Sequence, residues 1–208
     1  MGIQERKEKQ KAELKQQILD ASVKLFSEHG YNGVSMRKIA DIIEYSPTTV
    51  YLYYKDKNEI LFELHEIGFQ KLGEYTQELI DIKNPLVRLY KLGENYIRFG
   101  LENPEYYDLM FLLPAPMDFI DKQIEHCDWN GGGNAFDFLK AILQECMDKD
   151  LIKKWELNSM AMAVWGAVHG LVSLYNRKRL EKVSDEKDVL DTIHRSLNWI
   201  INTMDKTA

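Results

Sequence analysis

Between Ser35 and Lys57 the chain reads SMRKIADIIEYSPTTVYLYYKDK, and its polar side chains are of kinds that touch nucleic acid. Arg37 carries a planar fork that fits guanine O6 and N7, or equally an exposed phosphate. Thr48 and Tyr51 present a methyl group and a ring suited to thymine methyls. Thr49, Tyr53 and Lys57 suit phosphate oxygens, contacts that position a protein on DNA without reading its sequence. Arg6, Lys7, Lys9, Lys11 and Lys15 supply either a basic arm or, with glutamates interleaved, a solvated helix end.

Bond-breaking chemistry finds no comparable constellation. His126-Cys127 and Cys146 lack zinc-ligand spacing, and no two histidines fall at metal-binding helical spacing. The triple glycine at 131–133 follows no strand and has no phosphate-loop lysine, and no serine sits in a nucleophile-elbow context. The expectation is therefore a non-enzyme, with no catalytic residues, no metal and no cofactor.

The elements that position these residues are helical. Ser35 is an N-cap before Ile39, Ala40 and Ile43 at helical spacing, and Ser46-Pro47 is an N-cap followed by proline at the first helical position. Asp56 with Glu59 forms a capping box for a third helix. Two short helices crossing at the small Ala40 outline a helix-turn-helix, with Val50 and Tyr54 facing inward. Around it the periodicity predicts helices over about 11–29, 57–82, 85–102, 104–113, 117–127, 134–149, 156–180 and 184–204. Residues 129–133 read as a mobile loop.

Composition bounds the rest. The 208 residues carry a net charge of −6, but residues 1–60 hold ten Lys and Arg against nine Asp and Glu. The remainder holds 17 against 24, so the acidity lies outside residues 1–60, whose sum is a modest +1. Two cysteines, Cys127 and Cys146, make no disulfide framework. The apolar runs are interrupted within a few residues and the first residues lack a signal-peptide core, so no membrane span and a cytoplasmic location are expected.

The C-terminal two thirds carries two further signals. Tyr96, Phe99, Tyr106, Met110, Phe111, Trp165, His169 and Tyr175 are aromatic, sulfur or imidazole side chains able to line a pocket, or to fill one another's space as core. Ala163, Gly166, Ala167, Gly170 and Ser173 put small residues on one side of their helix, where another backbone can approach. Leu190, Ile193, Leu197, Ile200 and Met204 step by three and four, a seam for helix contact either within a protomer or between two.

Thr48 to Lys57 resembles the recognition-helix signature of TetR-family regulators, Leu-Tyr-x-His-Phe-x-x-Lys. Ile18 to Ser22, Leu25-Phe26 and Gly30-Tyr31 resemble that family's first helix and its exit, and residues 165–170 resemble one branch of its C-terminal domains. Two positions depart: Glu44-Tyr45 occupies the turn where glycine and valine are frequent, and Tyr53 replaces the histidine. The resemblance implies base-side roles for Arg37, Pro47, Thr48 and Tyr51, and backbone roles for Thr49, Tyr53 and Lys57. It implies an effector pocket with Tyr96, Phe99, Met110, Phe111, Trp165 and His169. It also implies a four-helix dimer interface from Ala163, Gly166, Gly170, Ser173, Leu190, Ile193, Leu197, Ile200 and Met204.

The expected protein is all-α. Residues 1–60 form a helix-turn-helix DNA-binding domain, and residues 61–208 form a helical ligand-binding and dimerisation domain. It is expected to be a homodimeric repressor released from double-stranded DNA by a small apolar or aromatic effector. A helical scaffold or partner-binding protein whose helix-turn-helix no longer reads DNA is the alternative.

Overall fold

Ser35 and Ser46 do what their positions in the sequence require. The Ser35 hydroxyl accepts from the Lys38 N–H at 3.3 Å, and the Ser46 hydroxyl accepts from the Thr49 N–H at 3.1 Å. Each satisfies one of the donors that a helix start leaves open. In the computed structural model, which describes residues 2–114, 131–183, 188–204 and 206, these caps open α2 (Met36–Ile42) and α3 (Pro47–Tyr51). Before them runs α1 (Ile3–Gly33), broken at Gly30, where φ is +66°. That angle suits glycine, the residue without a Cβ to clash. The basic N-terminal stretch is thus part of α1 from Ile3, earlier than the sequence suggested.

The turn between α2 and α3 places Glu44 in the left-handed region, with φ at +58°. The Tyr45 N–H donates to the Ala40 carbonyl at 3.0 Å, which closes α2 and holds Glu44 in the strained conformation. A glutamate fills the position where the related signature has glycine.

α4 (Lys57–Glu74) is shorter than expected and gives way to a 3-10 turn at Gln77–Asp81. Asp56 caps it, accepting from the N–H groups of Asn58 and Glu59, while Glu59 reaches back to the Lys55 N–H at 2.7 Å. Then come α5 (Pro85–Glu102), α6 (Pro104–Phe111), α7 (Gly131–Asp148), α8 (Leu157–Asn176), α9 (Leu180–Val183) and α10 (Val189–Met204). No strand occurs among the described residues. Gly131 to Gly133, read as loop, are helical and open α7. The expected helix at 117–127 lies outside the described residues.

Two compact units result: Met1–Gly68 with Glu105–Trp129, and Phe69–Pro104 with Asn130–Ala208. The core of the first is built by Ile18, Phe26, Ile39, Ala40, Val50, Tyr54, Ile60, Leu61, Leu64 and Leu109. The division therefore falls inside α4 and returns α6 to the helix-turn-helix side, whereas the sequence divided the chain after residue 60. In the second unit α5 packs on α7, α8 and α10. A Cβ on Gly93 would meet Leu197 Cδ1 at 2.6 Å, so α5 and α10 touch closely there.

α8 bears on the expected absence of a membrane span. By length and composition it is apolar enough to cross a bilayer, the one such helix among the described residues. Its apolarity comes from leucine, valine, alanine and methionine, with no charged residue between Leu157 and Asn176, although asparagine, serine and histidine interrupt it.

Candidate nucleic-acid interface

Val50 and Tyr54 are buried on one side of α3, so the residues between and beside them point outward. Arg37, Pro47 and Thr48 are exposed, and Tyr51 is 54% exposed. These four, assigned to base-side roles, sit on the outer surface of the helix-turn-helix. Thr49 is half-buried, its hydroxyl 2.9 Å from the Ser46 hydroxyl. Tyr53 is also half-buried and packs against the core of the first unit.

Lys57 is placed differently from its assignment. Its ammonium donates to the Tyr31 carbonyl at 2.8 Å and the Val34 carbonyl at 3.1 Å. It also lies 3.9 Å from the centroid of the Tyr31 ring. Tyr31 in turn donates from its hydroxyl to Asn58 Oδ1. Loss of water around the ammonium holds the Lys57 pKa below its ordinary value. The side chain closes the C-terminal end of α1, whose last carbonyls have no helical partner, and its charge is engaged inside the protein. No local signal announces this, because Tyr31 and Lys57 are far apart along the chain.

Two residues of the outer surface were missed. Leu52, 78% exposed, follows Tyr51 at the end of α3, and Lys55 is exposed just beyond. The signal was present: if Val50 and Tyr54 face the core four residues apart, Leu52 must face away.

A cleft of about 240 Å³ opens beside Tyr53, Tyr54, Phe62 and Lys15. Its wall carries Glu59, Glu63 and Glu66, which repel phosphate, so it is no part of a DNA face. Glu63 binds the Lys15 ammonium at 2.6 Å and accepts from the Tyr54 hydroxyl at 2.9 Å, pinning α4 to α1 and to the end of the recognition segment.

In the second unit, three of the residues assigned to a pocket meet. Trp165 Nε1 donates to Tyr96 Oη at 3.2 Å, and Tyr96 Oη lies 3.1 Å from His169 Nδ1. Phe136, which the sequence did not single out, packs edge-on to Trp165 with ring centroids 6.1 Å apart. Burial, and secondarily the charge of Arg177, holds the His169 pKa below its ordinary value, so the ring is neutral at pH 7. Phe99 is instead fully buried and meets Tyr75 edge-on. Met110 and Phe111 belong to the first unit, where Met110 packs over Gly68 and Phe111 lies edge-on to Tyr107.

The residues assigned to a dimer interface divide as well. Ala163 and Gly166 are exposed, Gly170 and Ser173 half-buried, and a Cβ added at either glycine would meet nothing within 4 Å. Ile193 and Leu197 are buried in the protomer's own core, so the inner part of the α10 seam is intramolecular. Leu190 is exposed, and Ile200 and Met204 are half-buried. Met162, Leu174 and Trp199, all exposed, were not anticipated.

A capped helix-turn-helix with an outward-facing recognition segment, among described residues that are helical, has the architecture of a DNA-binding regulator. Comparison with known proteins makes the assignment specific. Residues 18–64 match the bacterial regulatory proteins of the tetR family, and residues 89–197 match the tetracyclin repressor-like C-terminal domain. The regulator AcrR of Shigella flexneri is 35% identical over 153 residues, 71% of each chain. The fatty acid metabolism regulator protein of Bacillus subtilis is 35% identical over 86 residues, 41% of this chain and only 43% of that protein's length. The crystal structure of the TetR-family regulator PfmR from Thermus thermophilus superposes with a TM-score of 0.71 at 19% identity, covering 89% of this chain and 97% of that one. The chain belongs to the TetR family, whose members are non-enzymatic DNA-binding regulators.

Proposed function

We propose that the protein is a homodimeric, cytoplasmic transcriptional repressor that leaves its operator when a small apolar or aromatic effector binds. The observation that carries the DNA-binding half is the outward set Arg37, Pro47, Thr48 and Tyr51 on a helix-turn-helix whose inner face is fully buried. Residues 1–60 would engage the DNA, with one α3 in each of two major grooves about one helical turn apart.

The partner surface is supported by α8, which leaves Met162 and Leu174 exposed on a helix whose Gly166 and Gly170 have open space above them, and by α10, which leaves Trp199 exposed. Exposed apolar side chains on these two helices suit a partner, and a second copy offers the same surface in return. The effector reading is supported by Tyr96, Trp165 and His169, polar atoms held together within an aromatic cluster, and by the fatty acid metabolism regulator among the relatives. A long-chain acyl compound would offer an apolar chain to the rings and a polar end to the Tyr96, Trp165 and His169 atoms. To release DNA, the effector must bind the released arrangement more tightly than the DNA-bound one.

The test is fluorescence anisotropy of the full-length protein on duplexes tiling the region upstream of its own gene. The repeat is done with added acyl compounds. A preferred duplex that is released by an acyl compound supports the proposal. Uniform weak binding to every duplex refutes the repressor reading, and binding unaffected by any apolar compound refutes the effector half.

A further inference from the structure

The recognition segment carries little of the equipment that reads bases by hydrogen bonding. Pro47 to Leu52 contains no Arg, Lys, Asn, Gln, Asp or Glu, the side chains that make directed contacts to base edges. Its hydrogen-bonding groups are further reduced because the Thr49 hydroxyl lies within bonding distance of Ser46. In the preceding helix the exposed Lys38 ammonium uses one of its three donors on the Gly33 carbonyl at 2.6 Å. Arg37 is the one guanidinium in α2 and α3.

What projects instead is apolar. Leu52 is the most exposed large apolar residue described in the first unit, and Tyr51, Ile42 and Tyr45 are exposed within ten positions of it. Leucine has no atom able to bond a phosphate or a base edge. Leaving such side chains in water forgoes their burial, and exposed apolar residues gathered in this way mark an interaction surface. The major groove displays one apolar feature, the 5-methyl group of thymine.

We propose that this protein selects its operator by thymine methyl groups, with Leu52 and Tyr51 packing on them in each half-site, and with hydrogen-bonded base reading left to Arg37 and Thr48. The inference rests on the operator-binding reading above and names the sequence feature that reading left open. Leu52 is then a specificity-determining residue, and half-sites contain thymine at the position it meets.

The experiment removes the methyl and nothing else. The full-length protein is used to select duplexes from a random pool, and the winning duplex is resynthesised with deoxyuridine replacing one thymine at a time. Anisotropy titrations at one fixed salt concentration compare the parent protein with Leu52→Ala. Leu52 is exposed, so the alanine variant keeps its core, which a thermal melt verifies. The expected result is one or more thymines per half-site where uracil weakens the parent about fourfold, the worth of one buried methyl. At one of these positions Leu52→Ala binds the thymine and uracil duplexes equally. Tolerance of uracil at every thymine within twofold overturns the inference while leaving operator binding intact. So does a Leu52→Ala variant that discriminates as sharply as the parent. A selection that recovers no preferred sequence overturns operator binding itself.

Discussion

Replacing Lys57 by methionine separates a structural clamp from a phosphate ligand. Methionine keeps the unbranched apolar stem and removes the ammonium. The structure assigns that ammonium two hydrogen bonds, 2.8 Å to the Tyr31 carbonyl and 3.1 Å to the Val34 carbonyl, and a place 3.9 Å above the Tyr31 ring. Hydrogen bonds to a charged group contribute ~1.5–3 kcal/mol each when buried. A cation over an aromatic face adds ~0.5–1 kcal/mol at an exposed site. The side chain is only partly buried, so water replaces much of what is removed, and desolvation already opposes the charge. A net loss of about 2 kcal/mol follows, equivalent to roughly 4–8 °C in Tm for a chain of this size. Lys57→Arg, which retains the charge and donors able to reach both carbonyls, should recover most of it. The decisive measurement is operator affinity as a function of salt. If each protomer gave up one ion pair with a phosphate, the slope of log K against log[salt] would fall by about 1.8 for a dimer. The clamp predicts a lower Tm and weaker binding with the slope unchanged. An unchanged Tm with a slope shallower by that amount would show that Lys57 faces phosphate and refute the reasoning.

Two further predictions probe the rest of the molecule. Gly170→Leu adds a side chain whose Cβ meets nothing in the protomer, so folding of the single chain should gain up to ~1 kcal/mol of helix propensity while the paired backbones are forced apart. Sedimentation should show dimer dissociation strengthened by a factor consistent with ~1–3 kcal/mol of overpacking, and an unaltered dimer would place the interface elsewhere. His65 is 4% exposed, its Nε2 has no hydrogen-bond partner among the described residues, and burial lowers its pKa to about 4. An unfolded histidine takes up its proton near pH ~6.5, so between there and about 4 the unfolded state binds more protons and stability falls as pH drops. At pH ~5 the parent should have lost about 2 kcal/mol relative to pH ~7 from this group. Urea midpoints of His65→Leu should be less pH-dependent by that amount, and equal pH dependence in the two proteins would contradict the burial argument.

Local chemistry made much of the DNA-binding unit readable from the sequence. Ser35, Ser46-Pro47, Asp56-Glu59, Asn84-Pro85 and Glu156 each act on backbone groups within a few residues, so their helices begin where those residues stand. The inward placement of Val50 and Tyr54 follows from helical period alone. The same period predicted a seam on α10 but not what lies against it. Ile193 and Leu197 turn inward, Leu197 onto α5 where Gly93 leaves room, because burial within one chain and burial between two draw on identical side chains. Lys57 was read as a phosphate ligand because a surface lysine beside a recognition helix has that use. Only the folded chain brings the end of α1 under its ammonium, 26 residues away in sequence. Tyr96, Trp165 and His169 were singled out by type, yet their mutual bonds span 69 and 73 residues and exist because α5 packs on α8. Helix starts, apolar faces and the family resemblance are carried by neighbours within a turn or two, and so could be read along the chain. The partner that each side chain receives could not, since a charge or an apolar face specifies the need for a complement and leaves its identity to packing.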